Sequence, residues 1–221
     1  MKKRVLVSLV LLTIAGASAV FAQEALLKFT EVSGGYSVAA KSSKETVGDI
    51  IIPDTYNGKK VVAVATNGFK GCGGITGLKI SNNVIEIGNS AFEGCGGIIE
   101  ITMGDGVTTI GINAFKGCWR LRAFRGANIG ANVRNIRSSA FENCSALERV
   151  WIRSNVTSID DKAFNGCNKL NRVNFQQANT RIGTNAFPGD LADVYKAGGK
   201  GPYDVATRKG STPATWTKAA D

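Results

Sequence analysis

The apolar positions of this chain are organised by one phrase that returns six times: Phe69-Lys70-Gly71-Cys72, Phe92-Glu93-Gly94-Cys95, Phe115-Lys116-Gly117-Cys118, Phe141-Glu142-Asn143-Cys144, Phe164-Asn165-Gly166-Cys167 and Phe187-Pro188-Gly189-Asp190. Successive phenylalanines stand 23, 23, 26, 23 and 23 residues apart. A fixed period of this size marks a solenoid, whose coils cannot bury their apolar faces alone and depend on their neighbours. Counting from each cysteine, apolar residues recur three, six and eight positions on: Ile75, Leu78 and Ile80; Ile98, Ile101 and Met103; Leu147, Val150 and Ile152; Leu170, Val173 and Phe175. The last two of each set alternate with period two, which predicts a short strand with both side chains inward. A second inward pair follows (Val84 and Ile87, Val107 and Ile110, Val133 and Ile136, Val156 and Ile159), and then Ala-Phe closes the unit. The longer coil takes up its three extra residues between Phe124 and Val133, in a Gly- and Asn-rich bulge.

The pattern Cys-x-x-Leu-x-x-Ile-x-Ile followed by Val-x-x-Ile-Gly-x-x-Ala-Phe resembles the BspA-like, treponemal-type bacterial leucine-rich repeat. The resemblance covers roughly Ile50 to Gly189, and Ile52 to Val61 and Trp216-Thr217-Lys218 resemble the family's first coil and its usual ending. It implies a β-rich α/β solenoid, a leucine-rich-repeat horseshoe with one short parallel strand per coil. Three positions depart from the pattern, Asp190 for the sixth cysteine, Asn179 for the last valine and Gly68 for the first alanine, all at the ends where capping coils are atypical.

Both ends of such a stack need covers. In the segment 23–49, Leu27-Lys28-Phe29 and Tyr36-Ser37-Val38 around Gly34-Gly35 read as a hairpin over the first coil. In the segment 190–221, Asp190 is expected to cap a short helix through Leu191, Val194 and Tyr195 that stops at Gly198-Gly199. The tail beyond Gly201, with Tyr203 and Trp216, either lies over the last coil or stays mobile.

Residues 1–22 read as a secretory signal peptide: basic Lys2-Lys3-Arg4, an apolar stretch from Val5 to Ala15, and a small-residue exit ending at Ala22, with Ala17-Ser18-Ala19 as a second cleavage site. The mature chain then starts at Gln23 with no cysteine to carry a lipid, and eleven apolar residues fall short of the ~20 that span a bilayer. The expected location is periplasm, outer surface or medium. The chain is basic, at +10 with 27 Lys plus Arg against 17 Asp plus Glu, and it contains no histidine. That absence removes every imidazole-based metal site and general base. No phosphate loop, dinucleotide fingerprint or Gly-x-Ser-x-Gly elbow is present; Gly88-Asn89-Ser90-Ala91-Phe92 fails at its last position, and Asp160-Asp161 reads as a solvated turn. No enzymatic activity, cofactor or metal is expected.

Cys72, Cys95, Cys118, Cys144 and Cys167 occupy one position of successive coils and should form a ladder. Equivalent side chains in coils ~4.8 Å apart keep Cβ atoms ~5 Å apart, where a disulfide prefers ~3.8 Å, so buried free thiols are favoured over bridges. The strand residues between the inward pairs point outward. Seven positions after each cysteine these are Lys79, Thr102, Arg125, Trp151 and Asn174; the flanking row holds Gly77, Glu100, Ala123, Arg149 and Arg172, and a third row adds Ser81, Arg153 and Gln176. Arg125, Arg149, Trp151, Arg153 and Arg172 are expected to converge, four cations around one exposed indole, with Lys79 and Asn174 on the same face. Arginine and tryptophan dominate interaction hot spots, and such a patch suits an extracellular protein or an acidic or sulfated glycan. A tryptophan packed under arginine stems, with surplus charge serving solubility, is the other reading of the same residues. Export and the lack of clustered lysines argue against a nucleic-acid partner. The family resemblance implies adhesion to host matrix proteins or other cells; a periplasmic scaffold without host contact is the alternative.

Overall fold

Two stretches of each coil alternate inward and outward, and both form strands in the computed structural model, which describes residues 25–124, 129–207 and 215–220. The leading segment contributes β1 (Leu27–Val32), β2 (Gly35–Ala40), β3 (Gly48–Ile52), β4 (Thr55–Tyr56) and β5 (Lys59–Val64). The coils follow with β6 (Ile75–Ile80), β7 (Glu86–Ile87), β8 (Glu100–Thr102), β9 (Thr109–Ile110), β10 (Ala123–Phe124), β11 (Asn135–Ile136), β12 (Arg149–Ile152), β13 (Ser158–Ile159), β14 (Arg172–Phe175) and β15 (Arg181–Ile182). Helix α1 (Leu191–Gly198), β16 (Gly201–Thr207) and β17 (Thr215–Lys218) complete the described chain.

The expected β-rich solenoid is present, with helix confined to the C-terminal segment among the described residues. Each coil carries a second strand beyond the one expected. The second inward stretches pair in parallel from β5 through β7, β9, β11 and β13 to β15, and β1 and β2 extend this sheet at its leading edge. The strands that follow the cysteines form two sheets, β3-β6-β8-β10 and β12-β14-β16-β17. The break between them falls between β10 and β12, in the part of the chain that holds the 26-residue coil.

Turns make the third side of each coil. The glycine of Phe-x-Gly-Cys is left-handed, with φ of 72 to 74° at Gly71, Gly94, Gly117 and Gly166, and Asn143 takes the same conformation at 62°. Glycine, or asparagine at small cost, is required there because a Cβ disfavours positive φ. Main-chain bonds then tie turn to turn: the N–H groups of Phe69, Phe92, Phe115 and Phe141 each donate over 2.7 Å to the alanine carbonyl of the next coil.

Inside, the six phenylalanines stack, with ring centroids 4.9 to 5.2 Å apart and planes within 14° of parallel. Burying each side chain contributes about 1.5–3 kcal/mol. The residue after each of the first four phenylalanines alternates in charge, so that Lys70 pairs with Glu93 at 3.1 Å and Lys116 with Glu142 at 2.7 Å in the next coil. Hydrogen bonding from Ser90, then the ammonium groups of Lys70 and Lys116, holds the Glu93 carboxyl below its ordinary range, and Lys116 does the same for Glu142. A carboxyl depressed in the folded state contributes stability that is complete above its unfolded pKa of about 4.3 and is lost as pH falls through the folded value. Urea midpoints are therefore expected to stay level from pH 7 to about 5 and to decline below about 4. In Glu93→Gln/Glu142→Gln that decline should be shallower; an unchanged acid limb would show that these pairs do not set it.

The ends differ from the sequence expectation in detail. α1 spans the expected residues, but Asp190 makes no side-chain cap bond to it. Its Oδ1 instead accepts from the Trp216 main-chain N–H at 2.9 Å, which anchors β17. Of the two fates left open for the tail, the described part lies on the last coil: β16 pairs antiparallel with β14 and β17 with β16. Residues 1–22, read as a signal peptide, lie outside the described residues.

Candidate interaction surface

The outward positions of β12 and β14 are aligned by parallel register, Arg149 beside Arg172 and Trp151 beside Asn174. Trp151 is 37% exposed, because inward neighbours Val150 and Ile152 take the core and leave its indole on the sheet face. The third strand of this sheet changes the charge. Antiparallel pairing sets Asp204 of β16 opposite Arg172, and its two carboxylate oxygens accept from Nε and Nη2 at 2.6 Å each. This fork raises the Arg172 pKa, and Arg172 first, then the field of Arg149, holds the Asp204 carboxyl low.

The described residues include three of the four cations expected around Trp151, and one of those three is ion-paired. Arg172 is neutralised by a bidentate partner, Arg153 is half-buried in the bend after β12, and Arg125 lies outside the described residues. Arg149 stays exposed beside them. Lys79 belongs to the other sheet, on β6 between Ile51 and Thr102, three coils and about 14 Å from the Trp151 row. Ser81, expected outward, is buried and donates to the Pro53 carbonyl at 2.9 Å. Asp204 escaped the sequence reading because the 23-residue period ends before the tail, and only an antiparallel return puts it beside Arg172.

Lys79 instead stands between two depressions of the first sheet. One, of about 380 Å³, is lined by Ile51, Pro53, Lys79, Asn82 and Met103; the other, of about 400 Å³, by Asp49, Thr76, Lys79, Ile99 and Glu100. A second exposed tryptophan was also missed. Trp119 is 56% exposed, in the turn after Cys118, and its indole lies over Gly96 of the preceding coil. The signal was in the row itself, where the other coils place Gly73, Gly96, Ser145 and Asn168.

All five cysteines are buried and free. The thiols of Cys95, Cys118, Cys144 and Cys167 point at phenylalanine carbonyls of the preceding coil, at 2.9 to 3.4 Å. Burial pushes Cys72 up to about 11 and Cys95 up to about 12, and it raises Cys118 and Cys167 well above the usual thiol range. Since all five thiols are buried away from the reagent, none is expected to react with Ellman's reagent in the native protein, and all five should react after denaturation. Rapid labelling of a native thiol would contradict this packing. Among the described residues no cluster of His, Cys, Asp or Glu suits a metal ion, and no helix is long and apolar enough to cross a membrane.

The BspA type Leucine rich repeat region matches this chain in six copies over residues 62–191, more than half its length. The chain is a BspA-type leucine-rich repeat protein. Solved structures of this kind share its fold. The T. pallidum leucine-rich repeat protein matches at 23% identity with a TM-score of 0.52, over 72% of this chain and 84% of that one. A leucine rich cell surface protein from Faecalibacterium prausnitzii matches at 24% and 0.54, over 73% of this chain and half of that one. A leucine-rich repeat protein from Eubacterium ventriosum matches at 18% and 0.52, over 72% and 49%. No curated protein matches the chain. Leucine-rich repeat proteins serve in general as protein-interaction modules, which fits a chain whose features of note are a ladder of packed coils and its outward rows.

Proposed function

We propose that this BspA-type repeat protein is an exported, non-enzymatic interaction module that binds an extracellular protein or glycan on the β12–β14 face, in adhesion to host matrix or other cells. The observation that carries the reading is Trp151, a large side chain left on a rigid sheet face beside Asn174 and the cation Arg149. A preformed sheet loses little entropy on association, and arginine beside tryptophan is the composition of a binding hot spot. The Arg172–Asp204 fork holds the neighbouring strand in place, so the indole is presented on a braced surface. Export is supported by the basic and apolar leader and by the cell-surface description of the F. prausnitzii protein.

The test is binding of purified residues 23–221 to immobilised matrix proteins, sulfated glycans and envelope fractions at about 0.15 M salt, where surface charge is partly screened. Saturable binding to a matrix protein or glycan is expected. Trp151→Ala should weaken it by about 2 kcal/mol, roughly 30-fold, through faster dissociation, and Arg149→Glu should slow association and flatten its salt dependence. Retention by an envelope component alone would make the protein a periplasmic scaffold. Binding unaffected by either substitution would remove the β12–β14 face from the function.

A further inference from the structure

The turn that leads from each cysteine into the following strand forms a corner of the coil, and over the first three coils this corner is apolar and open. Among the described residues, seven large hydrophobic side chains are exposed, and three of them lie here: Val47 at 53%, Ile99 at 37% and Trp119 at 56%. The pairing of Gly48 with Ile75 puts Val47 in the row of Gly74, Gly97 and Arg120; Thr76, Ile99 and Arg122 form the row two residues on. Glycines make the floor. A Cβ on Gly74 would stand 2.5 Å from Val47 Cγ1, and one on Gly96 would stand 2.1 Å from Trp119 Cζ2. The valine and the indole are thus laid on bare main chain, each with one side supported and the rest in solvent. The depression lined by Asp49, Ile51, Thr76, Lys79, Ile99 and Glu100 continues this surface inward, so the acidic residues of a partner belong at the Arg120–Arg122 end of the row.

We propose that this corner is a second docking site, separate from the Trp151 face, for an acidic polypeptide segment that sets an aliphatic or aromatic side chain against Trp119 and Ile99. Arg120 and Arg122 are exposed at its border, and no ion pair among the described residues engages either. Their guanidinium forks match carboxylates in bidentate geometry. Val47 and Ile99 offer no hydrogen bonds, so they gain by covering apolar side chains, and this favours a polypeptide over a sugar. From Val47 to Arg120 the row crosses three coil spacings, about 14 Å, the reach of four or five extended residues.

The experiment is selection of a random peptide library on residues 23–221, followed by titration of the enriched peptides against variants. Enriched peptides are expected to share an aliphatic or aromatic residue flanked by Asp or Glu. Their binding should fall about tenfold or more in Trp119→Ala and in Ile99→Glu, and should be unchanged in Trp151→Ala. In a Trp151→Phe background, binding should also shift indole emission, since Trp119 is then the exposed tryptophan and Trp216 is buried. Arg122→Glu, a third exposed position, keeps the test decisive if one variant folds poorly. The proposal is overturned if no peptide is enriched over a scrambled control, if the enriched peptides bind Trp119→Ala as well as the parent, or if acidic oligosaccharides rather than peptides depend on Trp119.

Discussion

Phe141→Ala is expected to destabilise the protein by about 3–5 kcal/mol and to make its unfolding visibly less cooperative. Phe141 is fully buried, stacked between Phe115 at 5.2 Å and Phe164 at 5.1 Å, with Phe124 edge-on at 5.4 Å. Truncation removes three aromatic contacts and leaves a cavity whose walls are other coils, held by their own ladders and unable to collapse into it. Position decides the second effect. A solenoid is held by nearest-neighbour interfaces, and the first-sheet ladder is already broken between β10 and β12. A void at this junction weakens the link between the early and late coils where the sheet contributes least. Urea unfolding followed by circular dichroism should show a lower midpoint and a broader transition, or two. Phe187→Ala is the control, because Phe187 stacks on one spine neighbour, Phe164 at 4.9 Å. Equal losses at both positions, or a single sharp transition in Phe141→Ala, would show that the junction is not the weak point.

The repeat was legible because each coil must satisfy the same neighbour, so one constraint is written six times. Phenylalanine spine, thiol ladder and inward rows all follow from that redundancy. The second strand of each coil was half-visible: Val107 and Ile110 were read as inward, but the parallel backbone pairing of short Thr109–Ile110 segments needs the stack itself to supply a partner. What occurs once was harder to see. Asp204 reaches Arg172 through an antiparallel return that no period encodes, and it changes the charge of the candidate site. Trp119 stands in a turn, where the alternation that sorts strand residues into inward and outward says nothing, and its place on Gly96 depends on contact between coils. The alternation Lys70, Glu93, Lys116, Glu142 was equally plain in the sequence, yet its meaning needs the coils to be stacked, since each charge meets its opposite only one period away.

Trp216→Ala is expected to open the C-terminal cover before any coil unfolds. Its indole is buried, Nε1 donates to the Pro188 carbonyl at 2.8 Å, and its main-chain N–H donates to Asp190 at 2.9 Å. Asp190 stands where a sixth cysteine would continue the thiol ladder, so the departure from the repeat ends the stack and anchors the strand that closes it. Loss of a buried tryptophan costs about 3–5 kcal/mol, and here the loss falls on a unit with one interface. Beneath it Tyr195, Tyr203 and Phe175 pack ring to ring, with Phe175 and Tyr195 centroids 4.1 Å apart. Once β16 and β17 lift, those rings meet water and β14 becomes an unpaired edge, a template for pairing with another chain. Amide exchange should therefore rise in β14, β16, β17 and α1 while β6, β8 and the early turns keep their protection, and the variant should associate on concentration. The Arg172–Asp204 fork would open with the same motion, releasing a second cation onto the Trp151 face. If the binding described above depends on charge, Trp216→Ala should then raise association rates at low salt even as it lowers stability. Exchange that rises uniformly through all coils would instead mean that the cover and the solenoid unfold as one unit.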